Sequence, residues 1–509
     1  MNTHVSDRLG PLDSLFLYLE KKEMPLHIGS VFVFDGPIPF DDLKSLIEAK
    51  LPLVPRYRQR LLFPPFQAGY PTWEYDPDFD IDRHIQRAVL ETGTKEELET
   101  LAGQRFSEMM DRNRPLWDLT VVDGLQNGRS ALIARVHHCL VDGIAGVALM
   151  KLILDDSPAV TPLPAKQPFH PPSLPDPALS LVDALASSYF HTVNRVLSLQ
   201  SAAANLAEQW FNEFLGGALG SSVGSLPDAV PPRERFPFYA PSLGPRRVAW
   251  AEFPMADIFA IHDACGVKVN DVGMMILAGA VQRYAHLHHV SVKNRPLRLM
   301  VPVNLRAPDQ HSGLGNRISL VPVNVPLDIT DPLELLNAIH QRSDGLKHIR
   351  AADAMVLGGS LLALLPVPTQ ALLVGQLSNN VSVLPFDMVC TNVPGPQRAV
   401  YLFGREMLTY YPYVPIGDFM GVNCAMVSYN GTLYFGLTGD CACAPDLDRL
   451  RDFLNEAFED VRKAAGVAPV ISEEPQSEPL AEQPVAEPTS EPVAEQPVAE
   501  QPVGAAATL

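Results

Sequence analysis

Little in this 509-residue chain is basic, cross-linked or continuously apolar. Lysine and arginine number 39 against 58 aspartates and glutamates, a formal net charge of −19. Residues 472–509 hold eight glutamates and no other charged residue, so −11 remains on the rest of the chain. A body of that sign repels phosphate backbones, and no local basic patch reverses it, so nucleic-acid binding is not expected. The six cysteines, Cys139, Cys265, Cys390, Cys424, Cys441 and Cys443, are scattered and have neither a disulfide framework nor zinc-site spacing. Reduced thiols of a cytoplasmic protein are the reading. The opening Met1-Asn2-Thr3-His4-Val5-Ser6-Asp7-Arg8 lacks the basic-then-apolar order of a signal peptide, so secretion by that route is not expected. The most apolar stretch, residues 355–374, is broken by Gly358-Gly359 and Pro366-Val367-Pro368 and reads as a buried or membrane-contacting helix pair, not a span.

What is present is ample material for a core: 47% of residues are hydrophobic and 19% charged. A chain this long is expected to divide into two domains with room for a cleft between them. Residues 1–156 alternate strand-like runs, such as 28–34, with amphipathic helical ones, such as 40–51. Residues 157–245 follow as a linker region, Pro-rich over 157–177 and helical over 179–219, then Gly/Ser-rich. Residues 246–466 form a second α/β half, with strands expected at 297–303, 318–325 and 433–439. Residues 467–509 are Pro/Glu/Val/Ala low complexity and are expected to be disordered.

The chemistry-bearing run is His137-His138-Cys139-Leu140-Val141-Asp142-Gly143. Residues 131–138 read as a strand and 144–154 as an amphipathic helix, which puts the run on a strand-to-helix corner. Neighbouring strand side chains face opposite ways, so only one histidine can enter a given cleft, and the pair is not a metal site. Asp142-Gly143 suits the turn that follows. A neutral histidine can take a proton from an alcohol as that alcohol attacks a thioester, a step that needs no cofactor or metal. His286, His288 and His289 lack partners at ligand spacing.

The seven-residue run resembles the His-His-x-x-x-Asp-Gly motif of the bacterial wax ester synthase/diacylglycerol acyltransferase family, within the chloramphenicol acetyltransferase-like superfamily. Other segments match in order across residues 9–465. They are Pro11-Leu12-Asp13-Ser14-Leu15-Phe16-Leu17, Met24-Pro25-Leu26-His27-Ile28-Gly29, Pro55-Arg56-Tyr57-Arg58-Gln59-Arg60-Leu61, Arg114-Pro115-Leu116-Trp117, Val269-Asn270-Asp271-Val272 and Thr391-Asn392-Val393-Pro394-Gly395-Pro396. The resemblance implies an α/β fold of two chloramphenicol acetyltransferase-like subdomains, each a mixed sheet packed with helices, with the active-site channel between them.

It further implies that His138 is the base, with His137 and the Asp142-Gly143 corner in support. Thr391 becomes a candidate oxyanion donor, the alternative being a strand-end hydroxyl. Asn270 and Asp271 read as a helix N-cap behind the cleft, Asn270 capping an apolar helix over 272–281. Arg306, in Pro302-Val303-Asn304-Leu305-Arg306, is expected to pair with Asp142 across the halves or else to lie on the surface. The implied reaction moves a long-chain acyl group from acyl-CoA to diacylglycerol, giving triacylglycerol, or to a long-chain alcohol, giving a wax ester. No covalent intermediate, cofactor or metal is implied beyond acyl-CoA as co-substrate. Rival readings keep the fold but change the acceptor to another lipid or a polyketide hydroxyl, or make the chain a weakly active lipid-droplet scaffold. The implied location is cytoplasmic, peripheral to the inner membrane or lipid droplets.

Overall fold

The computed structural model describes residues 7–140, 152–163, 169, 235–304, 318–345, 365–378 and 386–469. All of them fall within one compact unit, Met1–Val470. The strands are β1 (Asp7–Arg8), β2 (His27–Phe34), β3 (Gln59–Leu62), β4 (Thr72–Tyr75), β5 (Ile85–Val89), β6 (Trp117–Asp123), β7 (Ser130–His137), β8 (Arg246–Pro254), β9 (Pro296–Asn304), β10 (Ile318–Pro326), β11 (Met388–Pro394), β12 (Tyr401–Leu402), β13 (Arg405–Tyr413), β14 (Val422–Tyr429) and β15 (Thr432–Asp440). The helices are α1 (Pro11–Leu19), α2 (Phe40–Lys50), α3 (Lys95–Ser107), α4 (Met255–Cys265), α5 (Val269–Leu287), α6 (Pro332–Gly345), α7 (Val367–Ser378) and α8 (Leu447–Ala464).

Two six-stranded mixed sheets carry the fold, in the orders β12-β13-β2-β7-β6-β5 and β10-β9-β11-β14-β15-β8, with a small sheet β1-β4-β3 beside them. The expected fold class is therefore observed. The helices cover the sheets for the reason their sequences dictate. In α8, Leu447, Leu450, Leu454, Ala457, Phe458 and Val461 recur at helical spacing and are buried, while the charged residues between them mostly face out. Helix α5 is buried along most of its length, and Gly273 in its second turn lies where a Cβ would stand 2.6 Å from Met426 Sδ of β14. A larger residue there would require the Met426 side chain to shift.

Sheet pairing crosses the division of the chain at residue 246. Strand β13 pairs antiparallel with β2, placing Tyr410 opposite Phe32 and Tyr413 opposite Gly29, so part of the second half completes the first sheet. The open edge of β2 needs a partner, and β13 supplies it. The first core accordingly includes Tyr410, Tyr411 and Tyr434 together with Val31, Phe32 and Leu132.

The strands expected at 28–34, 131–138, 297–303, 318–325 and 433–439 are all found, within a residue or two at each end. The helix expected over 144–154 lies mostly outside the described residues, and its last residues, 152–154, are in a turn and coil. The helical segment at 179–219 and the acidic tail also lie outside them. Among the described residues no single helix is long and apolar enough to cross a membrane.

Candidate active site

Strand β7 ends at His137, directly opposite His27 of β2, and His138 is the first residue beyond the strand. The backbone N–H of His137 donates to Leu116 O (2.9 Å), and that of His138 donates to Leu26 O (3.0 Å). Three of the sequence segments therefore meet at one corner: the histidine pair, Arg114-Pro115-Leu116-Trp117, and Met24-Pro25-Leu26-His27-Ile28-Gly29. The side chains of the two histidines then part, as strand alternation requires.

His137 is fully buried on the far side. Its Nδ1 accepts the Cys139 backbone N–H at 3.1 Å, which assigns the ring proton to Nε2. That nitrogen lies 3.3 Å from Glu20 Oε1. Glu20 ends α1, and its carboxylate also accepts from the Leu26 N–H (3.0 Å) and from Arg112 Nη2 (2.8 Å). Arg112 Nη2 in turn donates to Leu17 O at 2.8 Å. Burial alone would raise the Glu20 pKa, but His137, the Leu26 N–H and Arg112 outweigh it and hold the group down at about 2. The corner thus stands on a buried ionised carboxylate.

His138 faces the other way, into a cavity of about 450 Å³. Its ring stacks on Phe16 of α1, with centroids 4.0 Å apart and planes 6° from parallel. Burial lowers its pKa to about 4; a hydrogen bond with its own backbone opposes the shift and the nearby His137 adds to it. The imidazole is consequently neutral at physiological pH and can accept a proton.

The cavity is mainly apolar. One wall comes from the first sheet and from the turn after α2, with Ile28, Phe32, Leu51, Tyr57, Trp117 and Val136; the other comes from β11 and β14, with Thr391, Asn392, Val393 and Met426. The Trp117 indole N–H donates to Tyr57 O at 2.8 Å, joining two more sequence segments in one wall. Thr391, half-buried, lines the same cavity as His138 and pairs in register with Ala425. Asn392 Nδ2 donates to Asn270 Oδ1 at 3.4 Å, so the Val269-Asn270-Asp271-Val272 segment supports the Thr391 strand from behind.

The capping arrangement differs from the sequence expectation. Helix α5 starts at Val269 with Lys268 as N-cap, so Asn270 is inside the first turn and does not cap. Asp271 closes the turn instead: its carboxylate accepts the Lys268 backbone N–H (3.0 Å), and it also bonds His340 Nδ1 (2.6 Å) and Ser343 Oγ (2.7 Å) of α6. A carboxylate at the third helical position that reaches back to the N-cap backbone N–H is one half of a capping box. His288 is engaged with Asp446 at 3.0 Å, and among the described residues no group of His, Cys, Asp or Glu could hold a metal ion.

Asp142, Gly143 and Arg306, and with them the expected Asp142 to Arg306 ion pair, lie outside the described residues. Three residues that the sequence reading did not single out are central to the corner: Phe16, which stacks on His138, and Glu20 and Arg112, which anchor His137. Phe16 belongs to the segment Pro11-Leu12-Asp13-Ser14-Leu15-Phe16-Leu17; Glu20 and Arg112 carry no local signal, because their pairing spans 92 positions.

The chain is similar to known proteins along most of its length. Residues 9–273 match the family profile described as wax ester synthase/diacylglycerol acyltransferase catalytic domain, and residues 314–462 match the corresponding C-terminal domain. A probable diacylglycerol O-acyltransferase, tgs2, of Mycobacterium tuberculosis (strain H37Rv) is 31% identical over 475 residues, covering 91% of this chain and 100% of its own. A second from the same organism, tgs1, is 30% identical over 475 residues, covering 89% of this chain and 95% of its own. The solved wax ester synthase/diacylglycerol acyltransferase from Marinobacter aquaeolei VT8 superposes with a TM-score of 0.63 at 25% identity, covering 90% of this chain and 100% of that one. The first condensation domain of the CDA synthetase, at 14% identity and a TM-score of 0.54 over 91% of this chain and 98% of its own, shares the fold.

Proposed function

This chain belongs to the wax ester synthase/diacylglycerol acyltransferase family and is an O-acyltransferase, and on that footing we propose that it carries a long-chain acyl group from acyl-CoA to the hydroxyl of diacylglycerol, and to long-chain alcohols, with His138 as general base. The observation that carries the reading is a neutral imidazole, fixed by Phe16, in a mainly apolar cavity that Thr391 also lines. A cavity of this kind suits acyl and acyl-glycerol chains and offers few competing polar groups.

In the proposed reaction the acceptor oxygen attacks the thioester carbonyl carbon while His138 removes the hydroxyl proton. The tetrahedral oxyanion is held by the Thr391 hydroxyl. Its collapse breaks the carbon–sulfur bond, and the imidazolium returns the proton to the departing CoA thiolate. No acyl-enzyme forms. His137 keeps the corner in place through Glu20 and takes no proton from substrate. The reading makes the enzyme cytoplasmic and peripheral to the inner membrane or lipid droplets, where such acceptors dissolve.

The test uses purified protein, labelled palmitoyl-CoA and either diacylglycerol or hexadecanol. Equimolar CoA release and ester formation with both acceptors is expected. CoA release without ester would sink the acceptor assignment, and no release with any lipid alcohol would overturn acyl transfer itself.

A further inference from the structure

The segment Phe63-Pro64-Pro65-Phe66 and helix α7 are uncharged: residues 61–73 and 365–378 contain no Asp, Glu, Lys, Arg or His. They also touch, α7 packing against the turn Pro65–Gln67 and against α1. Their junction is fixed by the Tyr70 hydroxyl, which donates to Gln370 Oε1 at 2.8 Å in a buried contact. Val367 and Gln370 face inward, while Leu365, Leu372 and Leu373 are exposed, Leu372 to 64%. Beside them Phe66 is 90% exposed on a backbone with φ of 56°. That conformation is uncommon for a bulky residue, and two preceding prolines restrict the approach to it, so the ring is held out by the backbone.

We infer that Phe66, Leu365, Leu372 and Leu373 form a docking surface for the polar–apolar boundary of a lipid layer. The inference rests on the lipid-acceptor reading above and names the surface that meets the lipid. Exposed leucines beside an exposed aromatic ring are the composition of an interfacial binding face. The lack of charge selects the occupant. A chain with −19 overall gains nothing electrostatically from an anionic surface, so insertion of apolar side chains has to supply the binding. The position is also apt: α7 lies against α1, the helix whose Phe16 stacks on His138, so a lipid layer on α7 is one helix away from the proposed base.

The experiment is flotation of the full chain with phosphatidylcholine vesicles, and with vesicles containing phosphatidylglycerol, at low and high salt. The chain is expected to float with phosphatidylcholine, to gain nothing from phosphatidylglycerol, and to be insensitive to salt. The triple variant Phe66→Ser, Leu372→Ser, Leu373→Ser is expected to lose about tenfold or more of its partitioning. Val89→Ser, which removes a comparably exposed side chain (69%) from β5, should lose none. Failure of the wild type to float, full flotation of the triple variant, or loss of flotation at high salt would each overturn the surface assignment. So would a wild type that is dimeric where the triple variant is monomeric, since a second copy would then be the occupant. Acyl transfer to a water-soluble alcohol, measured in parallel, separates this failure from failure of the acyltransfer reading: the triple variant should keep it, and its absence in the wild type would indict the chemistry, not the surface.

Discussion

On one wall of the cavity His138 stands over a charge network of the buried Glu20 and His137 and the half-buried Arg112; on the other, Thr391 and Asn392 rest on a neutral amide contact with Asn270. The difference matches what each wall has to do. A base must present one nitrogen in one direction, and a buried ionised carboxylate locks the neighbouring ring and the turn that bears it. An oxyanion donor needs only a hydroxyl in place before charge develops, and it gains most where surrounding charge does not compete. The charged wall should therefore be brittle to loss of a single partner, and the neutral wall tolerant.

Thr391→Val, which keeps shape and removes the hydroxyl, is expected to cost about 10² to 10³ in kcat with little change in stability, read by steady-state kinetics beside thermal unfolding. An unchanged kcat would reduce Thr391 to a strand-end hydroxyl. Glu20→Gln should cost about 2 to 3 kcal/mol of stability, since it leaves the Arg112 charge and His137 without their carboxylate, and denaturant titration measures it. If stability instead held while kcat fell, Glu20 would belong to the chemistry. Asn270→Ala, on the neutral wall, should cost under about 1 kcal/mol, because a single long amide contact is lost. A loss as large as that of Glu20→Gln would erase the contrast between the walls.

The smallest effect expected is in the pH profile. The pKa of His138 is depressed below that of a free histidine, so the base is neutral above about 4 and becomes protonated only as the pH falls through that value. kcat/KM should thus stay level between about pH 8 and about pH 5.5, where a solvent-exposed histidine would already have lost most of its activity. An inflection near pH 6.5 would show that the base is not held in the environment described.

Much of the first wall was legible because its signals are local. Alternation along 131–138 predicted that the two histidines would part, and they do, with His137 inward and His138 in the cavity. What escaped was long-range. Nothing in the sequence around Glu20 announces a partner at Arg112, and nothing in residues 405–413 tells that they complete a sheet begun at residue 27, because sheet partners are set by topology and not by the strand's own pattern. The cap at α5 was misassigned for a different reason. Asn270 is the better cap by preference, but Asp271, at the third helical position, holds the Lys268 backbone N–H from within the helix, and the helix begins at Val269.

The most direct measurement is ester formation from palmitoyl-CoA and diacylglycerol by His138→Ala and His137→Ala, each compared with the wild type and each followed by thermal unfolding. The account predicts that His138→Ala folds as the wild type does and loses about 10² to 10⁴ in kcat, while His137→Ala loses stability first and activity with it. Full activity in a folded His138→Ala protein would contradict it.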